Sequence, residues 1–116
     1  MKRGEVVWAQ LPKPAASPGH EQFGRRPAIV LQDEPALAEL KTVVVVPVTS
    51  VKSALRFPNT YPIQPTTANG LAEESIALAH QIRALDKRRV DGVIGTLSPE
   101  DLSQVEARVR AQLRLP

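Results

Sequence analysis

The stretch Thr42-Val43-Val44-Val45-Val46-Pro47-Val48-Thr49-Ser50 contains the longest apolar run of the chain, residues 43–48, and its reading decides the fold. β-Branched side chains are stiff at χ1 and favour an extended backbone, and here they put apolar groups on both faces of a strand. A strand apolar on both faces belongs in the middle of a sheet. Pro47 has no N–H to give to a ladder, so the end of this strand is expected at an edge or a bulge. The run is far too short to cross a membrane, which takes about 20 apolar residues.

Towards the N-terminus, residues 5–11 and 28–31 read as two further strands, with Val6 and Trp8 facing away from Val7 in the first. Residues 34–40 read either as one short helical turn after Pro35 or as a loop. Towards the C-terminus, the prolines of residues 52–69 favour extended pieces and turns, with an edge strand over 61–63 and a turn at Asn69-Gly70. Ile76, Leu78 and Ile82 at even positions, with Gln81 and Arg83 at odd ones, read as a strand within 75–85, for which the alanines leave a helix as the alternative. Residues 90–97 read as a last strand, bent at its glycines. Ser98 is placed to cap a helix that Pro99 opens and whose dipole Glu100 and Asp101 complement. Along that helix Leu102, Val105, Val109 and Leu113 form one apolar stripe, and Glu106 is expected to pair with Arg110. Short strands followed by one terminal amphipathic helix imply a mainly β fold with helical additions, a small, strongly bent antiparallel sheet or barrel capped by that helix.

Residues 1–116 read as a single domain, long enough to bury a core without disulfide or metal staples. At 42% hydrophobic and 23% charged residues the composition is globular. The chain has no cysteine, which excludes a disulfide framework, a thiolate metal site and a cysteine nucleophile, and fits a reducing cytoplasm. Residues 1–12 hold no signal-peptide core, so a cytoplasmic protein without a membrane segment is expected. A net charge of +3 favours an anionic partner. Ten arginines against five lysines favour phosphate in particular, because the guanidinium fork matches it.

Residues 12–19 carry prolines and few large apolar groups, and read as a mobile connection that arches over its neighbours. It leads into Gly19-His20-Glu21-Gln22-Phe23-Gly24-Arg25-Arg26-Pro27. Its glycines permit backbone shapes closed to other residues. Between them stand an imidazole, a carboxylate and an amide, with two guanidinium groups following. That crowding reads as a site loop; a solvated loop with idle charges is the plain alternative.

Taken together, Arg3-Gly4-Glu5-Val6-Val7-Trp8, Arg25-Arg26-Pro27-Ala28-Ile29-Val30-Leu31, Val48-Thr49-Ser50 and Gln81-Ile82-Arg83-Ala84-Leu85-Asp86 resemble, in order and spacing, the MazF/PemK toxin family. The resemblance covers nearly the whole chain. It implies an SH3-like barrel of the CcdB/PemK type with helical additions, assembled as a homodimer. It also implies a sequence-selective endoribonuclease acting on mRNA, held inactive by an antitoxin encoded beside it. His20 stands where many relatives have Ser or Thr, Phe23 where they have Gly or Ala, and His80 where many carry a carboxylate. Cleavage specificity and acid–base assignment are therefore where this chain departs from the common pattern.

RNA can be cut without a metal or other cofactor, because the 2′-hydroxyl beside the scissile phosphate serves as nucleophile. The protein must deprotonate it, stabilise the charged phosphorane and protonate the departing 5′-oxygen. Arg26 is expected to hold the phosphate with both prongs of its guanidinium, with Pro27 biasing it towards an extended backbone. Thr49 matches the family's catalytic Thr and would bond a nonbridging oxygen or orient Arg26. His20 carries the side chain best suited to moving a proton near neutral pH, as base or as acid.

Glu21, Gln22 and Phe23 are placed to read unpaired bases by hydrogen bonds and stacking, with Arg25, Gln81, Arg83 and Arg88 continuing a surface for single-stranded RNA alongside Asp86, Lys87 and Arg89. His80 falls with Ile76, Leu78 and Ile82 on one strand face, as a core or interface histidine, and two histidines so placed make no metal site. A partly disordered acidic antitoxin would wrap the basic surface. Two other functions fit the same fold: a CcdB-like inhibitor of DNA gyrase, which has no need of the Arg26 and Thr49 pair, and a noncatalytic RNA-binding module.

Overall fold

The computed structural model describes residues 1–13 and 20–116. From residue 14 onward the expected mobile connection, Gly19 included, lies outside the described residues. The strands are β1 (Glu5–Leu11), β2 (Gly24–Val30), β3 (Thr42–Thr49), β4 (Thr60–Ile63), β5 (Ser75–Leu78), β6 (Arg83–Asp86) and β7 (Val90–Thr96), and the α-helices are α1 (Glu34–Glu39) and α2 (Pro99–Leu113). All pairings are antiparallel, in the order β4-β5-β3-β2-β1-β7, with β6 also on β3. The mainly β architecture with a terminal helix is as expected, but the path is open, not a closed barrel. Its two ends meet through a turn: Thr96 N–H donates to the carbonyl of Ala68, beyond β4, at 2.8 Å. Among the described residues no helix is long and apolar enough to cross a membrane.

β3 is central and apolar on both faces, as its sequence requires. Val43 and Val45 pack with Val7, Ala28, Val30, Leu37 and Leu85 on one face. On the other, Val46 and Val48 pack with Val6, Ile29, Ile63, Leu71, Leu97 and Val105, under α2. Pro47 lies at neither an edge nor a bulge of β3. It sits where β3 changes partner, since β6 pairs with residues 42–45 and β5 with 48–49.

The register of β5 differs from that of β6 by three residues, and those residues form the 3-10 turn Ala79–Gln81. The strand expected within 75–85 is therefore two strands in line, interrupted opposite a residue that cannot donate a ladder bond. The interruption puts His80 in the 3-10 turn and not in a strand; its ring lies 5.6 Å from that of Phe57, and its Nδ1 is buried.

Other differences are local. β2 begins at Gly24, so Arg25, Arg26 and Pro27 are strand residues and not part of a loop. Residues 34–39 are helical because Asp33 caps them, its carboxylate accepting from Ala36 N–H at 3.3 Å. A 3-10 turn, Lys52–Arg56, stands where only extended pieces and turns were expected. In α2 the Ser98 cap and the packing of Leu102, Val105 and Val109 hold, whereas Leu113 is 50% exposed because the helix outruns the sheet beneath it. Glu106 pairs with Arg3, 103 residues away, not with Arg110.

Tyr61 O–H donates to Asp101 at 2.8 Å and ties β4 to α2. That bond, with burial, raises the phenol above its usual value of 10.0. A raised pKa in the folded state means that the stabilisation is complete below pH 10 and is lost as pH climbs through the folded value. Tyr61→Phe is expected to cost about 1 kcal/mol at neutral pH. In thermal melts that difference should vanish at strongly alkaline pH; a difference independent of pH would contradict the assignment.

Candidate active site

β2 and β3 pair as far as Ala28 with Pro47 and then part. Beyond that point β2 continues on β1 and β3 continues on β5. A cleft of about 240 Å³ opens in this splay, with Arg25, Arg26 and Pro27 on one lip and Val48, Thr49 and Ser50 on the other. Gly70, Leu71, Ala72 and Glu73 form its back wall, and Trp8, Ser75 and Ile94 complete it. Lys52 staples the wall to the lip, donating to the carbonyls of Ser50 at 3.1 Å and Glu74 at 2.7 Å.

Two of the expected catalytic residues meet here. Continuing the Ala28–Pro47 register by two residues sets Arg26 opposite Thr49, on the same face of the sheet. Arg26 Nε donates to the carbonyl of Phe23 at 3.2 Å, which anchors one edge of the guanidinium. Thr49 is buried, and its oxygen accepts from Val51 N–H at 3.2 Å. With that lone pair engaged, the hydroxyl proton is available for a ligand in the cleft.

His20 is exposed, and its side chain does not line the cleft. The loop that bears it is nevertheless held: Gln81 accepts from Gln22 N–H at 2.7 Å and donates to the carbonyl of His20 at 3.2 Å. Pro47 thus acts at a distance, because the interruption opposite it projects Gln81 out of the sheet towards this loop. Glu21 is exposed, and Phe23 is largely exposed with Lys13 Nζ 5.7 Å from its ring. The side-chain oxygen of Gln22 is buried without a partner among the described residues. Arg83 is half-buried on β6, opposite Val45.

Arg88 is not brought to the cleft. Its guanidinium bonds Asp86 at 3.0 Å and holds that carboxyl down to about 2. Lys87 donates to the carbonyl of Leu37 and Arg89 to that of Gln10, so the basic run secures a turn. What the sequence reading missed are Trp8, the Leu71–Glu73 wall and Asp91. Arg25 lies with its guanidinium carbon 4.3 Å from the Trp8 ring centre and its Nε 3.2 Å from Asp91. The glycines within 90–97 were the available signal: in pairing with β1, β7 skips Ile94 and Asp91, two bulges that turn these side chains towards the cleft and Arg25.

Residues 2–113 match the family described as PemK-like, MazF-like toxin of type II toxin-antitoxin system. The chain is 30% identical over 115 residues to endoribonuclease MazF of Staphylococcus saprophyticus, covering 99% of this chain and 92% of that protein. It is also 30% identical over 115 residues to endoribonuclease EndoA of Bacillus subtilis, covering 99% and 96%. A crystal structure of MazF from Deinococcus radiodurans superposes with a TM-score of 0.81 at 28% identity, over 99% of this chain and 97% of that one.

Proposed function

The chain belongs to the PemK-like, MazF-like family of toxins of type II toxin-antitoxin systems, and from that premise we propose that it is a sequence-selective endoribonuclease that cuts single-stranded RNA without a metal. The observation that carries this reading is the convergence of Arg26 and Thr49 on opposite lips of a cleft that strand splay leaves open.

In the proposed reaction the 2′-oxygen attacks the adjacent phosphorus, and the bond from phosphorus to the 5′-oxygen breaks. The products are a 2′,3′-cyclic phosphate and a 5′-hydroxyl. Arg26 holds the nonbridging oxygens in bidentate fashion as charge builds on them. Thr49 donates its hydroxyl proton to one of those oxygens. His20, on the loop that Gln81 fixes, either takes the 2′-hydroxyl proton while water protonates the departing 5′-oxygen, or protonates that oxygen while water takes the 2′-proton. Glu21, Gln22 and Phe23 border the bases beyond.

The family assigns the protein an antitoxin partner, and an acidic segment suits the arginine-bearing lip. A homodimer belongs to the same reading, and the exposed side chains of Val51, Leu55 and Phe57 offer apolar area for it. An mRNA substrate places the protein in the cytoplasm.

Incubating antitoxin-free protein with long single-stranded RNA in EDTA, and mapping the ends by sequencing, tests the reading. Discrete cuts with 5′-hydroxyl ends are expected. Cuts that require added metal, or no cuts across varied RNA sequences, would overturn it.

A further inference from the structure

We propose that Arg25 is a guanine-reading residue, taking the Hoogsteen edge of one unpaired base next to the phosphate held by Arg26. This deepens, and rests on, the endoribonuclease reading above.

Two contacts constrain this guanidinium. Its central carbon lies over the Trp8 ring, 4.3 Å from the ring centre. Its Nε donates to Asp91 at 3.2 Å, and Asp91 reaches it because a β7 bulge adds a residue opposite the Trp8–Ala9 step. Its two terminal nitrogens have no protein partner among the described residues, on a side chain 51% exposed. A surface ion pair of this kind adds little to folding, so its effect is on orientation. A guanidinium gripped at Nε and stacked on one face loses little further freedom when it binds.

What such a fork fits is decided by its donors. Both terminal groups only donate, and guanine presents O6 and N7 as paired acceptors at matching spacing. Adenine replaces O6 with an amino donor, and pyrimidines lack N7. In single-stranded RNA this edge is exposed. Phosphate is the competing ligand for a fork. However, Arg25 and Arg26 alternate along an extended strand, so they enter the cleft from opposite faces of β2, and Arg25 is held at Trp8 and Asp91 while Arg26 is anchored at the Phe23 carbonyl.

Trp8 is the only tryptophan, so its fluorescence reports a ligand at Arg25 directly. The probes are uridine oligomers carrying one central guanosine, adenosine, cytidine or 7-deazaguanosine, titrated into Arg26→Ala protein so that cleavage does not intrude. Guanosine is expected to bind about 10-fold tighter than the other three, which is within the discrimination of a good bidentate base contact. Arg25→Ala should level the series, while Arg25→Lys, which keeps the charge and donors but not the planar fork, and Asp91→Asn should each narrow it.

Equal binding of all four oligomers, or a guanosine preference that survives Arg25→Ala, overturns the proposal. So does a uniform loss in Arg25→Ala that lysine restores, which marks a phosphate contact. If no oligomer binds, the proposal also falls, and cleavage of long RNA by the wild-type protein decides separately whether the endoribonuclease reading survives.

Discussion

Arg26→Ala should lower the cleavage rate about a thousandfold while leaving the melting curve almost unchanged. Removing one preorganised donor from a developing oxyanion costs on the order of 100- to 1000-fold. Arg26 is assigned both prongs of that contact, which places it at the upper end. Among the described residues the intramolecular bond given up is the one to the Phe23 carbonyl on a strand end that β1 already holds, so stability should shift by less than about 0.5 kcal/mol. Arg26→Lys should recover little, because an ammonium supplies the charge without the planar fork. Thr49→Val should cost less, about 100-fold, for a single donor. The measurement is single-turnover cleavage of one mapped site, with melts run in parallel. An Arg26→Ala protein that still cuts within tenfold of wild type would remove this residue from the chemistry.

The parts of this fold that were legible in the sequence are those decided by local pattern. β3 announces itself by β-branched residues on both faces, and α2 by its cap, its proline and its stripe. What was not legible depends on partners distant in the chain. Nothing around residue 106 says that its carboxylate will find Arg3 before Arg110. Alternation over 75–85 carries no sign that three residues will be ejected, because the cause, Pro47, lies on a different strand.

The site divides in the same way. Arg26 and Thr49 stand out through short motifs and both line the cleft, whereas nothing in the basic run says that the Arg88 guanidinium will pair with Asp86. Trp8 reads as one more strand residue. Its role beside the cleft appears only when a bulge on β7 and a guanidinium on β2 converge on it.

The second large effect is on stability, and it comes from Gly95→Ala. A Cβ built at Gly95 falls 2.3 Å from the carbonyl oxygen of Ala68 and 2.5 Å from the carbonyl carbon of Asn69. Both obstacles are backbone, so no side chain can rotate away to relieve them. Nor can the turn retreat easily, because Asn69 is 1% exposed and knots it from within. Its Oδ1 accepts from Thr66 N–H and Leu71 N–H, each at 3.0 Å, and its Nδ2 donates to the carbonyl of Gln64 at 2.9 Å. On the other side a Cβ at Gly70, at φ +69°, would fall 2.5 Å from the Ile94 carbonyl oxygen, so turn and strand run too close for a side chain at either glycine.

Overpacking costs about 1–3 kcal/mol where neighbours adjust, and here the neighbours are fixed, so a loss of about 3 kcal/mol or more is expected in urea denaturation. Asn69→Ala should also destabilise, by the opposite route, leaving the buried Leu71 N–H unpaired at about 1–3 kcal/mol and giving up the bonds to Thr66 and Gln64. A Gly95→Ala protein within about 0.5 kcal/mol of wild type would show the turn to be loose, contrary to this account. The turn also carries the wall of the cleft, residues 70–73. Protein of either variant that remains folded in the cold should therefore cut RNA more slowly with Arg26 and Thr49 still present. Arg26→Ala, by contrast, should lose cleavage with its stability intact, and that difference separates the scaffold that sets the lips apart from the groups that act between them.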